Sequence, residues 1–313
     1  MRRIYAGIDI GGTGTVIGLF DESRSLLAKT KFETLGAKRE RFGQPIAFME
    51  TIASRLQTAL AALHGEPAAL AGAGFGLPGG VDPEDGVVYE ATHLGWREVP
   101  FVPLMAERLG VPVCIDHDVR TFARGELQAG AARGARNALC LTIGTGIAAA
   151  VAVDGRLIRG GHNLAGEIGH DTVPGLALKC PCGKVGCLET IVSGPGIARL
   201  AAEAGLSGMS DAVPPTAEDV ARLCAVGDER ASGMYRYAAG LLADKLETAV
   251  ALLDPEIIVI GGGVANAGEP LLEPIRRQLH DRFPWLRGKL SVVPAALGED
   301  AALIGALHHV YPE

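Results

Sequence analysis

Three cysteines fall within the eight residues Cys180-Pro-Cys182-Gly-Lys-Val-Gly-Cys187, in a chain with only six cysteines altogether. In a reducing compartment, thiolates at such spacing are metal ligands before they are cross-links. The alternative is three ordinary thiols, since cysteine often serves as a small hydrophobe. A second group, Asp116-His117-Asp118, closes the apolar run VPVCID. A strand there would deliver carboxylates to its C-terminal end, a usual place for functional groups in α/β folds, where one of them can accept a proton from an attacking hydroxyl. Asp118 could equally cap the helix that follows, and both roles can hold together. Third come glycine loops at strand ends: Asp9 with Gly11, Gly12 and Thr13, then Gly144-Thr145-Gly146, then Gly262-Gly263. Glycine permits positive φ and lets backbone N–H groups approach an anion with no Cβ in the way. One such loop is mostly just a turn, but three converging loops are what a nucleoside triphosphate would need. The spacing fits neither GxxxxGK[ST] nor GxGxxG.

These groups need elements to position them. IYAGIDI, TVIGLFD and LLAKTKF predict an antiparallel meander, residues 45–64 an amphipathic helix, and ALAGAGFGLPG a strand running into a loop. A helix over 101–109, the VPVCID strand and a helix over 120–132 follow. ALCLTIGTG and IAAAVAVDG then repeat the opening strand, Gly/Thr loop, strand pattern. Helices are expected over 196–203, 217–226, 229–253, 269–283 and 300–310, with PEIIVIGGG and KLSVVPA as strands. Trp96 reads as a packing anchor, Cys114, Cys140 and Cys224 as core thiols, and the His308-His309 pair as an electrostatic cap on the last helix.

The 313 residues, 48% of them hydrophobic and 21% charged, describe a globular chain with room for two lobes. A net charge of -7, with no block of Lys or Arg longer than the Arg2-Arg3 pair, leaves no face for nucleic acid or an anionic membrane. No stretch is apolar enough for a signal core or a membrane helix, so a cytoplasmic protein is expected.

Asp9-Ile-Gly-Gly-Thr13, the Gly76-Leu-Pro-Gly-Gly-Val-Asp82 loop, Gly166-Glu-Ile-Gly-His170 and the segment from Cys180 to Glu189 together resemble the ROK family of sugar kinases and related repressors. The resemblance runs from about residue 4 to 310. It implies an α/β, two-lobe actin-like ATPase (ribonuclease H-like) fold with duplicated βββαβαβα lobes, and ATP and a hexose meeting in the cleft. The lobes are expected at 1–118, with a closing helix of about 299–313, and at 119–298, which carries the zinc loop. The resemblance also implies a homodimer or homotetramer.

His170 lies ten residues before Cys180 and completes a Cys3His set with Cys182 and Cys187, which suits a closed, structural tetrahedral zinc. The resemblance implies that Glu167, Glu189 and the free edge of His170 bind sugar hydroxyls around C1 and C2. It implies further sugar contacts at Gly79 and His117, and Asp118 as the base for the C6 hydroxyl. Asp9 would organise Mg2+, while Gly11, Gly12, Thr13, Gly144, Thr145, Gly146, Gly262 and Gly263 hold the nucleotide.

The chain departs from the family's usual Glu-Asn-Asp-Ala-Asn, having Asp116-His117-Asp118-Val119-Arg120. Imidazole and guanidinium reach farther and carry different donors, so contacts near C3 and C4 do not transfer. Ala148 and Ala149 stand where the kinases often have glycine, a cost if that backbone needs positive φ. Three functions compete. A hexose kinase comes first, with glucose ahead of the N-acetylhexosamines. A repressor would need a DNA-binding segment ahead of the core, for which no room is expected. A sugar-binding sensor is opposed by the retention of Asp9 and Asp118.

Overall fold

Two five-stranded sheets with the same strand order organise the chain. The computed structural model describes residues 2–36, 39–63, 68–206, 214–308 and 310–311. They divide into two compact units: Met1–Ala129 with Gly160–Leu164 and Glu299–Glu313, and Gly130–Arg159 with Ala165–Gly298.

In the first unit, β1 (Arg2–Ile10), β2 (Gly14–Phe20) and β3 (Leu26–Glu33) form the meander, followed by α1 (Pro45–Ala61) and β4 (Ala68–Leu77). A small antiparallel sheet of β5 (Gly80–Asp82), β6 (Val87–Ala91) and β7 (Trp96–Val99) comes next, then α2 (Phe101–Leu109), β8 (Val113–His117) and α3 (Asp118–Ala129). The main sheet runs β3-β2-β1-β4-β8, with β1, β4 and β8 parallel. That order brings the C-terminal ends of β1 and β8, with Asp9 and Asp118, to either side of the end of β4.

The second unit repeats the plan. It holds β9 (Ala138–Ile143), β10 (Ile147–Val153), β11 (Arg156–Ile158), α4 (Glu189–Val192), α5 (Gly194–Glu203), α6 (Ala217–Ala225), α7 (Glu229–Leu253), β12 (Ile257–Gly261), α8 (Glu269–Arg282) and β13 (Ser291–Pro294). Its sheet order is β11-β10-β9-β12-β13. A Thr216–Asp219 capping box starts α6, and Asp228 caps α7 by accepting from the Arg230 and Ala231 backbone N–H groups. The final helix, α9 (Asp300–Leu307), belongs to the first unit.

Strand alternation decides which helix covers which face. Ile4, Ala6, Ile8 and Ile10 of β1 join the core that includes Phe48, Met49 and Ile52 of α1, while Tyr5 on the other face packs with Leu303 and Leu307 of α9. The α9 side is unusually close. A Cβ on Gly7 would overlap the Leu303 carbonyl, one on Gly74 that of Ala306, one on Gly125 that of Ala301, and one on Gly305 that of Thr121. The first two contacts hold α9 on β1 and β4, and the last two lock α3 to α9 within the first unit, which runs to Ala129. Gly305→Ala is therefore expected to destabilise the protein by about 1–3 kcal/mol or more through overpacking. Gly240→Ala, where an added Cβ in α7 meets open space, is expected to be neutral or stabilising. Urea titration of the two variants reads the contrast; equal midpoints would contradict the close packing.

The structure differs from the sequence expectations in places. The β5–β7 sheet was not foreseen, because its strands are three to five residues long and two carry exposed charged residues in the middle. Trp96 belongs to that sheet and packs against Phe48 and Phe101, with ring centroids 5.4 and 6.2 Å away. The helix expected over 120–132 spans Asp118–Ala129. Ala148 and Ala149 are plain β10 residues outside the left-handed region, so their methyl groups carry no backbone strain. Cys140 and Cys224 are buried and Cys114 half-buried. His308 meets Gln128, Nε2 to Nδ1 at 2.6 Å, while His64 and His309 lie outside the described residues. Among the described residues no helix is long and apolar enough to cross a membrane.

Candidate active site and metal centre

In the first unit the Asp116-His117-Asp118 segment bridges the end of β8 and the first turn of α3. The Asp118 side chain is 31% exposed, and its Oδ1 accepts the Val119 backbone N–H at 2.6 Å while lying 3.1 Å from His117 Nδ1. His117 is buried, and its Nδ1 also accepts the Val119 N–H at 3.3 Å. Asp116 is 1% exposed and paired with the equally buried Arg120. Arg120, expected from sequence to alter sugar contacts, thus spends its guanidinium inside the fold.

Asp9 sits near the end of β1 with Gly76 of β4 beside it. A Cβ on Gly76 would fall 2.5 Å from Thr121 Oγ1, 3.4 Å from the Asp118 Cα and 3.5 Å from Asp9 Oδ1. Gly76 is therefore what lets the two aspartate-bearing segments come together. Within the Gly76–Asp82 motif no local pattern marks Gly76 for this role; a glycine in a buried strand between two carboxylate-bearing strand ends is the signal for it. Burial, reinforced by the charges of Asp118 and Glu299 against a weaker pull from Lys31, pushes the Asp9 pKa up to about 7. A carboxylate so placed gains most from a nearby cation.

The sign of this shift gives a prediction. A carboxyl whose pKa is higher folded than unfolded contributes stability that is full below about 4 and is lost as pH rises through about 7. Metal-free protein should therefore lose stability across that interval, and Asp9→Asn should flatten the loss, melting higher than the parent at pH 8 while losing turnover. Scanning calorimetry across pH 4–8 checks it; parallel pH profiles for parent and variant would contradict it.

The glycine loops work differently from expectation. Gly11, Gly12, Gly144, Gly146 and Gly263 do not occupy the left-handed region; only Gly262 does, at φ 87, with a virtual Cβ overlapping the Ile143 carbonyl. In the first loop the Gly11 N–H donates to the Gly14 carbonyl at 3.0 Å, leaving Thr13 exposed at the tip of the β1–β2 turn. In the second unit the Gly144 carbonyl accepts from Gly194 N–H at 2.7 Å, Thr145 is exposed, and a Cβ on Gly146 would come within 2.9 Å of Glu189 Oε2. Gly79 has φ 91, and its virtual Cβ would overlap the Glu90 carbonyl, so glycine is structurally required there whatever else it contacts.

The cysteines and His170 converge in the second unit. One ligand atom from each of His170, Cys180, Cys182 and Cys187 lies within 4.8 Å of all the others. The Cys182–Cys187 sulfurs are 3.6 Å apart and Cys180 Sγ is 3.7 Å from His170 Nδ1. Tetrahedral zinc with about 2.3 Å bonds to sulfur sets edges of roughly 3.7 Å, so this donor set fits. Backbone pairing shapes the loop: Cys180 N–H to Lys184, Val173 N–H to Gly186 and Leu188 N–H to Asp171, with Gly183 and Gly186 in the left-handed region. Burial, then the neighbouring Glu189, holds the Cys180 thiol well above its ordinary pKa, and burial also raises Cys187. A cation would displace those protons.

Two carboxylates flank the cluster. Glu189 Oε1 accepts from Cys180 Sγ at 2.9 Å and lies 3.5 Å from His170 Nδ1, while Glu167 Oε2 is 3.9 Å from His170 Nε2. His170 thus turns Nδ1 toward the sulfurs and Nε2 toward Glu167.

A duplicated sheet, each copy with a glycine turn after its first strand, defines the actin-like ATPase fold, and solved structures of that class match over nearly the full chain. The ROK glucokinase of Streptomyces griseus, solved with glucose and AMPPNP, is 31% identical, with a TM-score of 0.79 and 98% of each chain covered. The ROK hexokinase of Thermus thermophilus is 33% identical, with a TM-score of 0.71 and coverage of 98% of this chain and 96% of its own. Among curated relatives, a glucokinase of Halalkalibacterium halodurans is 34% identical over 97% of this chain and 93% of its own length. The ROK family model matches residues 5–311, and the chain belongs to the ROK family.

Proposed function

We propose that this chain is a hexose kinase that moves the γ-phosphoryl group of ATP to the C6 hydroxyl of glucose. ATP-dependent sugar kinase activity follows from the family and from relatives that are themselves glucokinases. The carrying observation is Asp118, partly exposed at the head of α3 and set beside the buried-side carboxylate of Asp9 by Gly76.

Phosphoryl transfer asks little covalent help from a protein beyond alignment, a proton acceptor and charge compensation. Asp118 accepts the C6 hydroxyl proton on the oxygen left free by the Val119 N–H. Asp9 holds Mg2+, which supplies charge compensation for the phosphates. The Gly11–Thr13, Gly144–Gly146 and Gly262-Gly263 turns hold the nucleotide, with the Gly11 and Gly144 N–H groups already donated to the Gly14 and Gly146 carbonyls. Glu167, Glu189 and His170 Nε2 bind sugar hydroxyls, and acceptor-only carboxylates disfavour sugars that lack those hydroxyls. Gly79 and His117 complete the sugar contacts. His170, Cys180, Cys182 and Cys187 hold a structural zinc that fixes His170 and Glu189 in place.

The test is ADP release from Mg-ATP across glucose, mannose, fructose, N-acetylglucosamine and N-acetylmannosamine. Glucose is expected to give the highest kcat/KM. A higher value for an N-acetylhexosamine would replace glucose as substrate, and no sugar-dependent release from folded, zinc-loaded protein would contradict the proposal.

A further inference from the structure

A guanidinium with 1% of its surface exposed is costly to bury unless its donors are well placed. Arg120 uses two of its nitrogens on backbone-anchoring partners. Nε donates to Asp116 Oδ1 at 2.5 Å, an oxygen that also accepts the His117 backbone N–H at 2.8 Å, and Nη1 donates to the Asn163 carbonyl at 3.3 Å. Asn163 carries the line further, its Nδ2 donating to Asp82 Oδ2 at 3.2 Å. The other oxygen of Asp82 accepts the Glu84 and Asp85 N–H groups at 2.9 and 3.2 Å, fixing the turn that leaves β5. Asn163 is held at φ 58, a conformation that asparagine tolerates better than most residues.

Three segments distant in sequence are therefore joined through two side chains, Arg120 and Asn163: the end of β8 with the candidate base, residues 160–164, and the Gly79–Asp82 stretch. All belong to the first unit. The third nitrogen, Nη2, is buried with no hydrogen-bond partner among the described residues. An unsatisfied buried donor is a cost that packing alone does not justify, and an apolar side chain of similar volume would avoid it.

We propose that Arg120 is a positioning residue that sets sugar selectivity without touching the sugar, by tying the Asp118 segment to the Gly79–Asp82 loop through Asn163. The inference rests on the kinase reading. It assigns the exchange of a short polar side chain for arginine in this segment to loop placement rather than to a new sugar contact.

The experiment pairs Arg120→Gln with Asn163→Gly, which keeps the backbone conformation and carbonyl at 163 and removes only the link to Asp82. Steady-state kinetics with both substrates is read alongside backbone amide exchange at residues 79–82 and 160–164. Arg120→Gln is expected to raise sugar KM roughly ten- to a hundredfold, to leave ATP KM within about twofold, and to flatten the ranking of hexoses. Both variants are expected to speed exchange at 79–82. A common rise in sugar and ATP KM, an unchanged sugar KM, or native exchange at 79–82 in either variant overturns the proposal. If Arg120→Gln does not fold, Asn163→Gly decides alone on the same readouts. If the parent protein phosphorylates no hexose, the kinase reading fails, and the exchange measurement still decides whether the tie exists.

Discussion

Asp118→Asn is expected to cut turnover by roughly 10²–10⁴-fold, the range that a positioned general base contributes. The substitution is nearly isosteric, and the amide oxygen can still accept the Val119 N–H that Asp118 Oδ1 now accepts at 2.6 Å. The start of α3 should therefore keep its shape, and sugar affinity measured by calorimetry should stay close to the parent's. The variant also removes one of the charges that raise the Asp9 pKa, so metal-free Asp118→Asn should titrate Asp9 at lower pH. Loss of turnover with intact sugar binding marks a base. Loss of both would assign Asp118 to binding, and retention of more than a tenth of the parent rate would remove it from the chemistry.

Removing the metal should have the second large effect, and on different quantities. Structural zinc contributes on the order of 10 kcal/mol of folding energy in zinc-finger peptides; here only one loop of a larger unit depends on it, so a loss of several kcal/mol is expected. Cys187 is fully buried, and serine in its place is a poor zinc ligand. The parent is expected to purify with one equivalent of zinc and Cys187→Ser without it; the variant should melt lower and raise sugar KM well above its effect on ATP KM, because His170 and Glu189 would lose their anchor. Elemental analysis and calorimetry read the first two outcomes. A parent free of zinc, or a variant with unchanged melting and KM, would contradict a structural metal.

Much of this was legible in the sequence because the residues concerned are close together along it. The cysteine loop announces itself by spacing, and His170 stands one short loop upstream. The glycine turns and the meander show by period-two alternation and by repetition between the two halves. What stayed hidden depends on contacts between remote segments. Gly76 matters only because Thr121 and Asp118 approach it from another element, and the Arg120–Asn163–Asp82 line joins positions that no local pattern links. Arg120 reads from sequence as a sugar-facing replacement beside Asp118; the structure instead buries it against Asp116 near the end of β8, four residues back. The glycines of the phosphate-type loops stand out in the sequence for a positive φ that, of those named, only Gly262 adopts. Gly7, Gly74, Gly125 and Gly305 serve close packing, a use that composition alone does not distinguish from a turn.

The most direct test of the account is the product itself. Zinc-loaded protein incubated with Mg-ATP and glucose should yield ADP and a phosphomonoester whose phosphorus couples to the C6 protons of the sugar in ³¹P–¹H NMR. ADP formed without any sugar phosphate, or phosphate carried on another carbon, would contradict the transfer chemistry derived from Asp118 and Asp9.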